Sequence, residues 1–275
     1  MVHPSPLAKV RRQRVTKHDV ASGIRVIAEE IPVAFTYDRA TFAVMMATPS
    51  DIEDFAAGFS LTERIVDTVS EIATIDIVDC AEGIEARMTL TVARDAELTS
   101  RRRRLAGPAG CGLCGIESLQ AAVAPAQPVR APLRVPPPTV FAALDALQAR
   151  QSLNQEVHAV HAAGFWSMAQ NRLVCVREDV GRHNALDKLA GALARADMLA
   201  ESGFIVMSSR LSIELVQKAA AIGCPVLVAV SAPTAFALRA ADDAGMTLVA
   251  VARADSFEVF THPHRIEMAV LHEAG

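Results

Sequence analysis

Aromatic residues are scarce in this chain. They make up 4% of 275 residues, with one tryptophan and one tyrosine, which argues against a platform for stacking the bases of single strands. An excess of positive charge is missing as well. Lys and Arg number 27 against 31 Asp and Glu, a net charge of −4, so no cationic face for general nucleic-acid binding is expected. Long apolar runs are also absent. The most apolar stretch, CPVLVAV at 224–230, is far shorter than the roughly 20 residues a helical span needs. The first 20 residues are partly basic but hold no apolar signal-peptide core. The expectation is a cytoplasmic protein with no membrane partner. Cysteines are few and odd in number, five in all, which does not suit a disulfide framework in a chain large enough to fold without one.

What is present is a 51% hydrophobic content, enough for one large domain or two modest ones. Residues 1–18 are polar and basic and read as a loose tail. Residues 19–98 read as an α+β unit, with strands at GIRVIAEE and ATFAVMMAT. SDIEDFAAGFSLTERIV follows as a helix, with Ser50 as its N-cap and Glu53 completing a capping box. ATIDIVD and IEARMTLTVA alternate as strands about a Glu82-Gly83 turn. Residues 99–138 hold an arginine run, a Gly-rich cysteine loop and a Pro/Ala-rich linker. Residues 139–275 alternate strands and helices, with Gly223 and Gly245 closing two of the helices. Continuous apolar strands between helices predict a parallel or mixed sheet covered on both faces, an α/β unit.

Three clusters carry chemistry. The first is LAGPAGCGLCGIE, where Cys111 and Cys114 stand two residues apart among glycines, just after Arg101 to Arg104. Three uses fit such a pair. Zinc needs four ligands, and the chain has no second CxxC to complete a set; His158, His161, His183, His262 and His264 each fit other uses as well. A redox dithiol normally opens a helix directly after a strand, and RRRRLAGPAG is not a strand. Sulfur transfer needs an exposed thiolate, a mobile backbone and a positive field, which glycines and arginines supply. The other three cysteines, Cys80, Cys175 and Cys224, lie beside strand-like stretches and read as small buried hydrophobes.

The second cluster, REDVGRHNALDK, gathers Asp179, Gly181, Arg182 and His183 where a strand turns into a helix, a place suited to anions. Asp179 and Asn184 would equally serve as caps. The third joins Ser208, Ser209 and Arg210 after the next strand with Ser231 and Thr234 after the one beyond. These hydroxyls can cap helices or hold a phosphate. Three equivalent junctions suggest one shared crevice beyond the strand ends.

These stretches together resemble the formate dehydrogenase accessory sulfurtransferases, the FdhD family. DFAAGFSLTERI, GCGLCGIESL, EDVGRHNALDK, SSRLSIELVQKAA, VSAPTAFAL and FTHPHRI match in order and spacing over most of residues 20–266. The resemblance implies a C-terminal three-layer αβα domain similar to the cytidine deaminase fold. It implies a sulfurtransferase that accepts persulfide sulfur from a cysteine desulfurase and passes it to the molybdenum cofactor, a bis(molybdopterin guanine dinucleotide), destined for formate dehydrogenase. It implies a homodimer. Cys111 matches the persulfide carrier and Cys114 the second cysteine of the loop. Where the family carries a cofactor-binding stretch of the type Phe-x-Lys-Pro-Gly-Arg, this chain has Val251, Ala252, Arg253, Ala254, Asp255 and Ser256. Arg253 keeps the positive charge; the Pro-Gly turn and final arginine are absent. A cofactor chaperone that moves no sulfur, and a zinc or redox dithiol protein, are the alternatives.

Overall fold

The computed structural model describes residues 4–91 and 124–267. In the N-terminal part, strands β3 (Ile31–Tyr37), β4 (Ala40–Ala47), β5 (Ile72–Asp79) and β6 (Ile84–Leu90) form a sheet in the order β4-β3-β6-β5. The β5–β6 hairpin closes as the sequence predicts, with the Cys80 amide donating to the Gly83 carbonyl at 2.8 Å. Helix α1 (Ile52–Thr62) lies across this sheet, and Phe55 and Phe59 pack on Phe35 with ring centroids 4.9 and 4.3 Å apart. Burying each of these phenylalanines contributes about 1.5–3 kcal/mol.

The capping box does not form. The helix starts one residue later than expected, at Ile52, behind an Asp51 in the left-handed region (φ 53°) with no side-chain cap. The turn before it is held instead by the Ser50 amide on the Thr48 carbonyl and by distant bonds to the C-terminal part, described below. The loose tail is also corrected. Leu7–Val15 form strand β1, paired antiparallel with β2 (Val20–Ala28). This two-stranded ribbon leaves Val15, Val20 and Ile24 exposed.

In the C-terminal part the sheet order is β12-β11-β10-β9-β7-β8, from β7 (His161–Ser167), β8 (Arg172–Asp179), β9 (Gly203–Met207), β10 (Val226–Ala229), β11 (Thr247–Ala250) and β12 (Glu258–Val259). Helices α2 (Pro137–Arg150), α3 (Ser152–Val157), α4 (Arg182–Arg195), α5 (Ile213–Ala221) and α6 (Ala235–Asp243) complete the unit. One face of the sheet packs under α4, α5 and α6 through Leu186, Leu189, Leu215, Val216 and Ala241. The other packs under α2 through Val140, Ala143 and Leu147. The result is the three-layer α/β arrangement the sequence predicts. Gly223 and Gly245, at φ +74° and +72°, end α5 and α6 in the left-handed conformation that glycine adopts at no steric cost. The stretch expected to be linker is partly core, since Val129 and Val135 are buried.

The two parts meet where α1 crosses α4. Gly58 and Gly191 sit at the crossing, and a Cβ built on Gly58 would lie 1.7 Å from the Asp187 carbonyl oxygen. Being covered on both sides explains why DFAAGF is apolar all round rather than on one stripe. Ion pairs cross the same seam. Asp54 of α1 accepts from Arg177 and Arg195, and Lys218 of α5 reaches across to Glu63 at 2.7 Å while also pairing with Asp187 of its own part at 2.9 Å. Burial pulls the Lys218 ammonium down, but Asp187 and Glu63 beside it prevail and hold it above the usual lysine range.

Candidate functional site at the strand ends

Strand β7 runs antiparallel to both β8 and β9, and β9, β10 and β11 run parallel to one another. The C-terminal ends of β8, β9, β10 and β11 therefore share one edge of the sheet. This edge brings together the second and third sequence clusters and the 251–256 stretch. The loops after β9 and β10 are tied directly, through a bridge between Leu211 and Pro233. The three junctions thus lie along one edge, which is the usual place for ligands in open α/β sheets.

The predicted residues divide by what their side chains do. Asp179 faces inward. Fully buried, it accepts from the Gly181 amide at 2.8 Å, Asn184 Nδ2 at 2.9 Å, the Thr48 amide at 3.0 Å and Lys188 Nζ at 2.6 Å. A ligand would have to displace one of these. Ser208 accepts from the Ala162 amide at 2.8 Å and prolongs the β7–β9 pairing. Ser209, nearly buried, bonds the Arg210 carbonyl. Thr234 caps α6 by accepting from the Ala237 amide at 3.1 Å, so here the plain structural role holds.

The outward-facing groups are cationic. Arg210 and Ser231 are exposed. His183 follows Arg182 at the start of α4, and its Nε2 lies 3.4 Å from Ser212 Oγ and 3.8 Å from Glu214 Oε2. The His183 ring beside it holds the Glu214 carboxyl down to about 2. His161 begins β7 directly opposite Asp179. Its imidazole is pulled below the usual range by burial and by Arg182, His183 and Arg210. The Arg182 guanidinium is pushed down by burial and by Arg210. Arg182, His183 and Arg210 thus stand close enough to disfavour a positive charge on His161.

Among the described residues, three buried side-chain atoms lack a hydrogen-bond partner: Trp166 Nε1, Arg182 Nε and Glu214 Oε2. Two of the three belong to this edge. Native proteins leave few such groups; an unpaired guanidinium nitrogen can take an anion as its partner, while the Glu214 carboxylate near it supports the Arg182 charge. Neither Gly181 nor Ser212 caps its helix through a side chain; at α5 the Glu214 carboxylate bonds its own amide instead. Sequence reasoning named Arg182, His183 and Arg210 but missed His161, Ser212 and Glu214 as members of this cluster. His161 stood out only as a possible zinc ligand, and no local pattern singled out Ser212 or Glu214.

The 251–256 stretch is a tight loop at the same edge. Val251 takes a left-handed φ of 51°, rare for a β-branched residue, while Ala252 is buried and bonds the Ala229 carbonyl through its amide at 3.2 Å. Arg253 turns back and donates to the Val230 carbonyl at 2.5 Å. Ala254, Asp255 and Ser256 are exposed. Cys111, Cys114 and Arg101 to Arg104 lie outside the described residues. Of the other cysteines, Cys175 and Cys224 are buried as expected; Cys80 is exposed, because its hairpin turn faces outward rather than into the core. No helix among the described residues is long and apolar enough to cross a membrane.

Comparison with known proteins places the chain in a family. The FdhD/NarQ family profile matches residues 28–267. The sulfur carrier protein FdhD of Agrobacterium fabrum (strain C58) is 50% identical over 259 residues, covering 94% of this chain and 95% of its own. That of Xanthomonas campestris pv. campestris (strain B100) is 46% identical over 270 residues, covering 98% and 95%. A crystal structure of a protein classed as a formate dehydrogenase accessory protein from Desulfotalea psychrophila superposes with a TM-score of 0.75 over 94% of this chain and 99% of its own. Its identity of 23% makes it a likeness of fold. With a matching profile over most of its length and relatives near half identical end to end, the chain belongs to the FdhD/NarQ family.

Proposed function

We propose that this protein is a sulfur carrier that loads sulfur on Cys111 and delivers it to a molybdenum cofactor held at the sheet edge, in the service of formate dehydrogenase. The relatives named sulfur carrier protein support the first half. The observation that carries the second half is the unpartnered Arg182 Nε among His161, His183 and Arg210. A guanine dinucleotide cargo is rich in phosphate, and phosphate suits a guanidinium and helix N-termini. Cys111 as thiolate would attack the terminal sulfur of a cysteine desulfurase persulfide. The new Cys111 Sγ–S bond forms as the donor S–S bond breaks, and the donor cysteine leaves as thiolate. Arg253 and its loop would border the cargo, with the missing Pro-Gly turn giving contacts of their own kind.

The test is intact-protein mass spectrometry after incubation with a cysteine desulfurase and cysteine, on wild type, Cys111→Ala and Cys114→Ala. The expected result is a gain of about one sulfur atom that Cys111→Ala alone abolishes. The same Cys111→Ala protein should fail to activate formate dehydrogenase. A wild type that gains no sulfur would overturn the carrier role and leave a cofactor chaperone.

A further inference from the structure

The loop that presents Arg182 and His183 is anchored from the opposite side of the seam, by Thr48. This residue precedes α1 in the N-terminal part and is fully buried. Each of its polar groups points at the 179–188 segment. Its amide donates to Asp179 Oδ2 at 3.0 Å. Its carbonyl accepts from Lys188 Nζ at 2.8 Å. Its hydroxyl oxygen accepts from the Val180 amide at 3.1 Å. Two residues earlier, the Met46 carbonyl accepts from Asn184 Nδ2 at 2.8 Å.

On the side of the sheet edge the contacts are longer. His183 has Ser212 at 3.4 Å and Glu214 at 3.8 Å, and Arg182 Nε has no partner. The short, directed bonds of this loop thus lie on its Thr48 side. A role in stability alone explains this poorly. Lys188 and Asp179 are both fully buried charges, and an apolar pair of similar volume holds helices together as well or better. What an apolar pair does not supply is direction. The Asp179–Lys188–Thr48 set fixes the angle at which α4 begins, and with it the aim of its first two side chains.

We propose that Thr48 and Lys188 are positioning residues, which aim Arg182 and His183 into the crevice and so tie cargo affinity to the docking of the N-terminal unit. This rests on the cargo reading given above for the sheet edge. A displaced anchor lets the start of α4 turn, and two positive groups that must converge on one anion then part.

Thr48→Val tests it with little disturbance. The substitution keeps volume and both charges and removes one acceptor, leaving the Val180 amide unpaired. Thr48→Ser restores the acceptor. Each protein is examined folded and at full length, with GDP as the probe for the nucleotide part of the cargo. Calorimetry reads the GDP dissociation constant, and NMR reads the titration midpoint of the His183 ring, assigned by His183→Asn. For Thr48→Val we expect melting within about 8 °C of wild type. We expect GDP binding at least about fivefold weaker, a coupling of ordinary size for linked sites, and a displaced His183 midpoint. Thr48→Ser should return both readouts to wild type. A Thr48→Val protein with wild-type GDP affinity and an unmoved His183 midpoint would overturn the proposal, whatever its melting temperature. If wild type fails to bind GDP, the cargo reading fails on its own. The His183 midpoint then still decides the positioning role, supporting it if it moves in Thr48→Val and recovers in Thr48→Ser.

Discussion

Replacing Gly58 by alanine adds one methyl group at the tightest point of the molecule. The new carbon would stand 1.7 Å from the Asp187 carbonyl oxygen and 2.6 Å from the Gly191 amide nitrogen. Real Cβ atoms do not come nearer than 3.0 Å to such neighbours, so α1 and α4 must separate by the difference, about 1.3 Å. Both clashing partners are backbone, and no side chain can swing aside. A gap of 0.5–1 Å already forfeits roughly a quarter to a half of each contact's dispersion energy. The separation also stretches the bonds that cross the seam, among them Thr62 to Asp187 at 2.6 Å and Arg177 to Asp54 at 2.6 Å. Overpacking alone costs about 1–3 kcal/mol; with the strained pairs we expect a loss of at least about 3 kcal/mol. For a chain of this size that lowers the melting temperature by roughly 6–12 °C. Thermal unfolding followed by circular dichroism reads this directly. Gly23→Ala is the control, since a Cβ at that position meets nothing within 4 Å, and it should stay within about 0.5 kcal/mol of wild type. Gly58→Ala melting together with Gly23→Ala would refute the close crossing.

Two further outcomes follow from single side chains. Glu214 is held at about 2 by His183 beside it, against an ordinary 4.5. A carboxyl lowered on folding contributes stability that is complete above its unfolded value and fades as the pH falls toward the folded one. Urea midpoints of wild type should therefore drop more between about pH 5 and about pH 3 than those of Glu214→Gln, and equal drops would remove the His183–Glu214 pairing. In a protein with Cys111 and Cys114 both changed to serine, iodoacetamide should label Cys80 quickly, as it is exposed. It should leave Cys175 and Cys224 intact until unfolding. Burial pushes both thiols up, that of Cys224 to about 12. Labelling of Cys224 at the rate of Cys80, read by mass spectrometry, would contradict its burial.

The sequence made the C-terminal sheet legible because its signals are local. Apolar strands alternate with helices that end on Gly223 and Gly245, and Asn171 turns the β7–β8 hairpin with a positive φ of 46°. From that alternation alone the three polar junctions could be placed on one edge. The roles of particular residues in REDVGRHNALDK were not legible. Asp179, Asp187 and Lys188 looked like a crowd of ligand groups. Their partners Thr48, Thr62 and Lys218 lie far away in the chain, and no local pattern reveals a pair made across a seam. The same remoteness explains the false capping box at Ser50. The turn there is held both by the Ser50 amide on the Thr48 carbonyl and by the distant groups Thr48 binds. Strand β1 was missed for a different reason. LAKVRRQRV carries little apolar content because its ribbon is covered by no core.

The glycine crossing also limits how this molecule can move. Two helices in backbone contact, with charged pairs along both flanks, have no spare volume for sliding past one another at that point. Any parting of the two halves there has to break the contact and those pairs together. On the reading proposed above, the sheet edge is the still partner, and the sulfur is what moves.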